Sequence, residues 1–178
     1  VPCDDHELVT EWPIKDNKSK KGVIQIWEQP VKDASGNIMK GRYIQGTDTY
    51  DDDESSTTSL GATFIFDLYT DRIVAEFTGR PRSQDFYEIT RMMNIYYAAE
   101  HNYENNKKGL FGWYDRKQSL HLLCDNPEYL KGQMDITIHK EGNKSKGTDA
   151  NKQTIAHGLS SQLDWMLEQA PNQEEGIL

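Results

Sequence analysis

The alternation of apolar and polar residues predicts three consecutive β-strands in the first half of the chain. These predicted strands cover residues 42–48, 59–68 and 72–77. Short polar connections separate the apolar runs, which indicates an antiparallel meander. The stretch before it, residues 1–40, is mostly irregular in pattern, although residues 23–27 have the composition of a strand. We therefore predict an N-terminal arm or linker at 1–40 and one main domain at 41–178.

The periodicity then changes from two residues to between three and four, which predicts a helix. Apolar side chains recur at this spacing from Phe86 to Tyr97, and Ser83 is the expected N-cap of a helix that runs to about residue 99. The residues expected to face the sheet are Phe86, Ile89, Met93, Tyr96 and Tyr97. Further along, the pattern predicts strands at 102–105 and 120–124 and helices at 108–117, 127–131 and 154–168, with a polar hairpin or loop at 134–150.

This order of elements predicts an α/β fold in which a mixed sheet is flanked by helices. It is also the order of the ribonuclease H-like arrangement, in which the first and fourth strands lie side by side. In such a sheet Asp48, at the end of the first strand, comes close to Glu104, in the fourth. Two neighbouring carboxylates repel each other, so we expect a raised pKa for at least one of them.

Composition narrows the function classes. The formal net charge is −9, which argues against a protein that coats DNA, because neutralising phosphates requires cations. The basic residues are nevertheless clustered, so a local contact with DNA remains compatible with the sequence. The sequence contains no apolar run long enough to cross a membrane and no signal peptide, and Cys3 and Cys124 have no metal-binding or redox spacing. A reduced, cytoplasmic setting is the default expectation.

The carboxylates offer the clearest chemistry. Asp48 and Glu104 together would form a site for a hard divalent cation such as Mg²⁺ or Mn²⁺, because these ions prefer oxygen ligands. A pair of such ions can activate water and stabilise the leaving oxygen of a phosphodiester. The plainer alternative is that Asp48 is a turn residue and that residues 52–54 form a solvated acidic loop. Asp51 is a candidate for a water-mediated contact with a metal.

Five runs of sequence resemble one known family. They are GRYIQGTDTYDDD from residue 41, DLYTDRIVAEFTGRPR from 67, NYENNKKGL from 102, NKSKGTDANK from 143 and GLSSQLDWML from 158. In this order they resemble the nuclease domain of the large terminase subunit of tailed phages, and most closely that of crAss-like gut phages. The resemblance covers roughly residues 23–170.

The resemblance implies a ribonuclease H-like, two-metal DNA endonuclease that cuts concatemeric viral DNA during packaging. It assigns Asp48 as the first-strand acid and Glu104 as the second. Glu104 is preferred to Glu100 because it is followed by Asn106 and Gly109, as in the family's Glu-x-Asn-x-x-Gly element. The implied partners are double-stranded DNA, an ATPase motor domain, the portal and the small terminase subunit, and the implied location is the host cytoplasm.

One part of the family's pattern is missing. Its third acid normally opens a final helix, and no matching element precedes residue 178. Asp149 and Asp164 are the late acids, and a C-terminally truncated domain is the alternative explanation. The candidate phosphate contacts are Lys107, Lys108, Lys146 and Lys152.

Two rival functions stay open on the sequence. One is another ribonuclease H-like nuclease, such as a resolvase or transposase core. The other is a non-catalytic module that docks the portal or another packaging partner. Metal binding separates a nuclease from a docking module.

Overall fold

Alternating burial along each strand builds a five-stranded sheet. The computed structural model describes residues 22–52, 60–132 and 138–173, and within them the chain forms five strands and three α-helices. The strands are β1 (Ile24–Ile26), β2 (Tyr43–Asp48), β3 (Gly61–Asp67), β4 (Arg72–Gly79) and β5 (Glu100–Tyr103). The helices are α1 (Ser83–Tyr97), α2 (Gly109–Arg116) and α3 (Lys152–Gln173). The predicted α/β class, a mixed sheet flanked by helices, is confirmed.

The strands lie in the order β1-β4-β3-β2-β5. The pairs β1–β4, β4–β3 and β3–β2 are antiparallel, whereas β2 and β5 are parallel. Ile44 pairs with Glu100 at the start of the parallel pair and Thr47 pairs with Tyr103 at its end. The predicted adjacency of the first and fourth strands of the domain is therefore confirmed.

One face of the sheet forms the hydrophobic core. Every second residue of β2 is buried there, namely Tyr43, Gln45 and Thr47, and the helices α1 and α2 cover this face. Phe86 and Met93 of α1 are buried against it, as the periodicity predicted. Tyr96 was predicted to face the sheet as well, but it is 43% exposed. Its hydroxyl instead reaches the surface side chain of Gln29.

Tyrosines make up an unusual share of this core. Six of the nine tyrosines are buried, and four of these are at most 2% exposed: Tyr43, Tyr97, Tyr103 and Tyr114. A buried phenol needs a hydrogen-bond partner. The Tyr97 hydroxyl donates to the carbonyl of Glu28 (2.6 Å), and the Tyr43 hydroxyl accepts from the backbone N–H of Val31 (2.9 Å). These two bonds attach the 28–31 segment to α1 and to β2.

The opposite face of the sheet is more open. Phe64 on β3 and Ile73 on β4 are each more than 40% exposed. The helix α3 contacts β3 through Trp165, whose ring lies edge-on to Phe66 at a centroid distance of 6.3 Å. Five apolar side chains of α3 remain at least half exposed: Ile155, Leu159, Leu163, Met166 and Leu167. Within the described residues, no helix is both long and apolar enough to span a membrane.

The expected N-terminal arm contributes to the sheet. Its strand-like stretch forms β1, which pairs with β4 through Ile24 opposite Phe77 and Ile26 opposite Ala75. Residues 22–40 therefore belong to the same folded unit as the residues that follow. Residues 1–21 lie outside the described part of the chain.

Three local predictions are wrong. The strand predicted at 120–124 is a 3₁₀ turn at Leu120–Leu122, followed by a single parallel bridge from Leu123 to His101. Gln118, with φ of 52°, turns the chain just after α2, and the 3₁₀ turn follows two residues later. Ser83 does not cap α1, because the helix begins at Ser83 itself and Arg82 holds the N-cap position without a side-chain cap bond. The fourth strand ends at Tyr103, one residue before Glu104.

The last predicted helix is confirmed and is longer than expected. It begins at Lys152, because the side chain of Asn151 accepts hydrogen bonds from the backbone N–H groups of Gln153 (2.9 Å) and Thr154 (3.0 Å). The 134–150 segment contains a 3₁₀ turn at Asn143–Ser145, and its residues 134–137 lie outside the described ranges.

Candidate metal and nucleic-acid site

The parallel pairing of β2 and β5 brings Asp48 and Glu104 together. Thr47 and Tyr103 are register partners, and the backbone N–H of Glu104 donates to the carbonyl of Thr47 at 3.1 Å. Asp48 and Glu104 follow these partners by one residue each. Paired residues of neighbouring strands point to the same face of a sheet, so both carboxylates emerge on the open face. The site therefore lies where the two strands end.

The two carboxylates influence each other's charge. The pKa of Glu104 is raised, first by partial burial and then by the negative charge of Asp48 and a hydrogen bond shared with it. Asn106 and Lys107 oppose this increase, the first by a hydrogen bond and the second by its charge. The expected rise in proton affinity is confirmed for Glu104. Crowded carboxylates of this kind are stabilised by a cation.

A third stretch of chain runs alongside these strand ends. Glu104 forms a parallel bridge with Thr148, and the N–H of Thr148 donates to the carbonyl of Tyr103 at 2.8 Å. The N–H of Asn105 donates in turn to the carbonyl of Thr148 at 3.0 Å. Asp149, the next residue, lines a cavity of about 210 Å³ together with Glu104 and the first turn of α3. The chain thus brings a third acid into the neighbourhood of the pair.

Asp149 is already paired with a lysine, however. Its Oδ1 accepts a hydrogen bond from Nζ of Lys144 at 2.6 Å. This contact is the main reason that the pKa of Asp149 lies below its usual value. Asp164, the other late acid of the sequence, is an exposed residue of α3. In the part of the chain that the structure describes, no three His, Cys, Asp or Glu side chains are arranged to hold one metal ion.

Asp51 has a structural role at the N-terminus of α2. Its carboxylate accepts hydrogen bonds from the backbone N–H groups of Lys108 (3.0 Å), the N-cap of α2, and Gly109 (3.1 Å), its first residue, and from the hydroxyl of Tyr87 (2.7 Å). It therefore closes the N-terminus of α2 from another part of the chain. Asp52 is exposed, and Asp53 and Glu54 fall outside the described residues.

The four predicted phosphate contacts differ in their surroundings. Lys107 and Lys108 are exposed between Glu104 and α2, and Lys152 is exposed at the start of α3. Lys146 instead forms an ion pair with Asp125 at 2.6 Å, and its side chain is only 22% exposed. Among the described residues, none of the first three side chains forms an ion pair, so each is accessible to a phosphate.

The sequence interpretation missed Lys144 and the role of Asn106. The Nδ2 group of Asn106 donates to Oε1 of Glu104 at 3.1 Å and to the carbonyl of Ala150 at 3.1 Å. Lys144 lies about 40 positions away from both Glu104 and Asn106. No local pattern links residues so far apart.

The donors at this site fit one hard divalent cation. Asp48 and Glu104 supply carboxylate oxygens, and Mg²⁺ is often bound by one or two carboxylates while it keeps several waters. Comparison with known proteins adds no relative, since no protein-family model and no curated protein matches the chain. The geometry of the described residues is therefore the basis for a functional proposal.

Proposed function

We propose that this chain is a metal-dependent nuclease domain with a ribonuclease H-like fold, which cuts concatemeric phage DNA during genome packaging. The observation that carries the proposal is the carboxylate pair, Asp48 and Glu104, at the ends of parallel neighbouring strands. The strand order supports it, because three antiparallel strands are followed by a helix and a strand parallel to the first. The terminase assignment rests on the sequence resemblance alone.

The chemistry follows from the charges at the site. A Mg²⁺ or Mn²⁺ ion held there would supply Lewis acidity and lower the pKa of a bound water. Asp48 and Glu104 would provide the negative ligands, and Asn106 would keep Glu104 oriented through its hydrogen bond. Lys107, Lys108 and Lys152 would contact the phosphates on either side of the cut. Such contacts hold DNA in place without reading its sequence.

A docking module is the second candidate, and one observation favours it. The apolar side of α3 is largely exposed, with Leu159 at 62% and Leu163 at 56%. Exposed apolar patches often mark protein–protein contacts. A docking module has no use for a metal ion at Asp48 and Glu104, so cation binding distinguishes the two proposals.

The decisive experiment is a Mn²⁺ titration of the full chain by calorimetry, combined with thermal melts. We expect binding at the carboxylate pair, and at a free-metal concentration about 100 times Kd a stabilisation of about 2.7 kcal/mol. Asp48→Asn and Glu104→Gln should each abolish this effect. Asp164→Asn, which alters an exposed acid on α3, should keep it. Equal Mn²⁺ effects in all four proteins would contradict a metal site at the pair.

Cleavage is tested separately with supercoiled plasmid. We expect nicking that requires Mn²⁺ or Mg²⁺ and disappears in Asp48→Asn. We also expect weak DNA binding that decreases steeply with salt, because a few phosphate contacts dominate on an acidic protein. Metal binding without any nicking, even at low salt, would refute the nuclease assignment for this chain.

A further inference from the structure

The Lys144 side chain is held more tightly than that of an ordinary surface lysine. Its ammonium nitrogen contacts three oxygens: Oδ1 of Asn105 (3.1 Å), Oδ1 of Asn106 (3.1 Å) and Oδ1 of Asp149 (2.6 Å). A lysine ammonium has three N–H donors and no acceptor. All three donors therefore have a partner, although the side chain remains 36% exposed.

These contacts determine how the Asn106 amide is oriented. Its Oδ1 faces the ammonium of Lys144, so its Nδ2 must face the opposite way, toward Oε1 of Glu104 and the carbonyl of Ala150. Only this orientation matches a donor with every acceptor. The reversed amide would place an oxygen against the Glu104 carboxylate and an NH₂ group against an ammonium.

The buried neighbour Asn105 supports the same arrangement. Its side chain is 1% exposed, and its Nδ2 donates to the carbonyl of Lys146 at 2.8 Å. Its Oδ1 is therefore left to accept from Lys144. The end of β5 and the 144–149 segment are thus joined around one ammonium group.

From this geometry we infer that Lys144 is a positioning residue for the Glu104 carboxylate, acting through Asn106. Lys144 itself does not contact Glu104. It fixes the amide that donates to Glu104, whereas its ion pair with Asp149 is a separate contact within the 144–149 segment. The inference deepens the proposed function, because it assigns a positioning residue to the same site, and it rests on that function only for its effect on metal binding.

Lys146 provides a matched control two residues away. It is also a lysine with a 2.6 Å ion pair, but its partner is Asp125, which is 84% exposed. No hydrogen bond joins its side chain to Asn106 among the described residues. Lys146→Met therefore removes a comparable ion pair from the same segment without affecting the amide.

The test uses the metal-free chain first. The side-chain amide signal of Asn106 in a ¹H–¹⁵N spectrum should show slow hydrogen exchange in the parent protein. Lys144→Met should speed this exchange, whereas Lys144→Arg, Lys146→Met and Asp149→Asn should keep it slow, because each leaves a cation beside Asn106. Mn²⁺ affinity should then fall roughly tenfold to a hundredfold in Lys144→Met, the usual effect of losing a partner that orients a metal ligand, and should stay near the parent value in Lys146→Met.

The outcomes separate this inference from the proposed function. An unchanged Asn106 signal in Lys144→Met overturns the inference, and so does an equal loss in Asp149→Asn, because the ion pair with Asp149 would then be the cause. If the parent binds no Mn²⁺ but the Asn106 signal responds as expected, the nuclease proposal fails while the positioning role of Lys144 stands.

Discussion

Gly109 lies where three parts of the chain converge. A Cβ atom at this position would come within 2.6 Å of Oδ1 of Asp51 and closer still to the hydroxyl of Tyr87. Asp51 approaches because it accepts from the N–H of Gly109, and Tyr87 approaches because its hydroxyl donates to Asp51. The glycine of the Glu-x-Asn-x-x-Gly element therefore has a steric explanation. Any side chain there would displace the carboxylate that closes α2.

We expect Gly109→Ala to destabilise the fold by about 1–3 kcal/mol, the usual cost of overpacking a tight site. Gly112→Ala is the matched control in the same helix. A Cβ at Gly112 would meet only the side chain of Arg116, at 3.7 Å. That change should be neutral or stabilise by up to about 1 kcal/mol, because alanine favours a helix over glycine. Urea unfolding of both variants measures the difference, and equal effects would contradict the steric argument.

At the scale of the elements, His101 connects two strands and a helix. Its ring nitrogens contact the hydroxyl of Thr47 on β2 at 2.7 Å and that of Tyr114 on α2 at 2.9 Å. Complete burial lowers the pKa of His101 from 6.5 to about 3. The neutral imidazole therefore holds β5 against β2 directly beside the carboxylate pair.

The buried histidine makes stability depend on pH. Between pH 6.5 and about 3 the unfolded chain binds a proton at His101 and the folded chain does not. Stability should thus decrease as the pH falls through this window, by about 1.4 kcal/mol per pH unit from this group. In His101→Gln this part of the dependence should vanish, whereas His157→Gln on α3 should keep it. Chemical denaturation at pH 7, 6 and 5 provides the measurement, and parallel profiles for parent and His101→Gln would refute the assignment.

At the scale of the whole molecule, the two faces of the sheet differ in how helices cover them. One face is covered by α1 and α2, and its residues form a continuous core. On the other face, α3 meets the sheet through the ring of Trp165 against Phe66. The helix that starts next to the carboxylate site is thus attached by a small contact.

Trp165→Ala should release α3 without unfolding the sheet. A fully buried Trp→Ala change costs roughly 3–5 kcal/mol, and we expect less here because Trp165 is only partly buried. Hydrogen exchange should become faster in α3 and stay slow in β2–β4. Leu163→Ala, at a position already 56% exposed, should leave exchange in α3 unchanged. Faster exchange across the whole sheet would show that α3 is part of the cooperative core.

The sequence predicted those features that depend on local pattern. Alternation located β2, β3 and β4, and the order of elements placed Asp48 beside Glu104. The pattern did not predict that Asp51 would cap α2, since the backbone groups that it accepts from at the start of α2 lie more than 55 positions further along the chain. The Lys144–Asn106 contact was missed for the same reason. The strand predicted at 120–124 failed because its leucines pack against the core from a 3₁₀ turn, which has the same composition as a strand.

The buried tyrosines allow unfolding of the core to be followed by ultraviolet absorbance. Of the nine tyrosines, Tyr97, Tyr103 and Tyr114 have their pKa raised above 10 by burial, that of Tyr97 to about 12. In the unfolded chain these phenols ionise near pH 10, so folding is weakened as the pH rises above that value. Phenolate absorbs ultraviolet light differently from phenol. An alkaline titration should therefore show an absorbance step above pH 10 that coincides with loss of circular dichroism. The absorbance change itself would then report unfolding of the core.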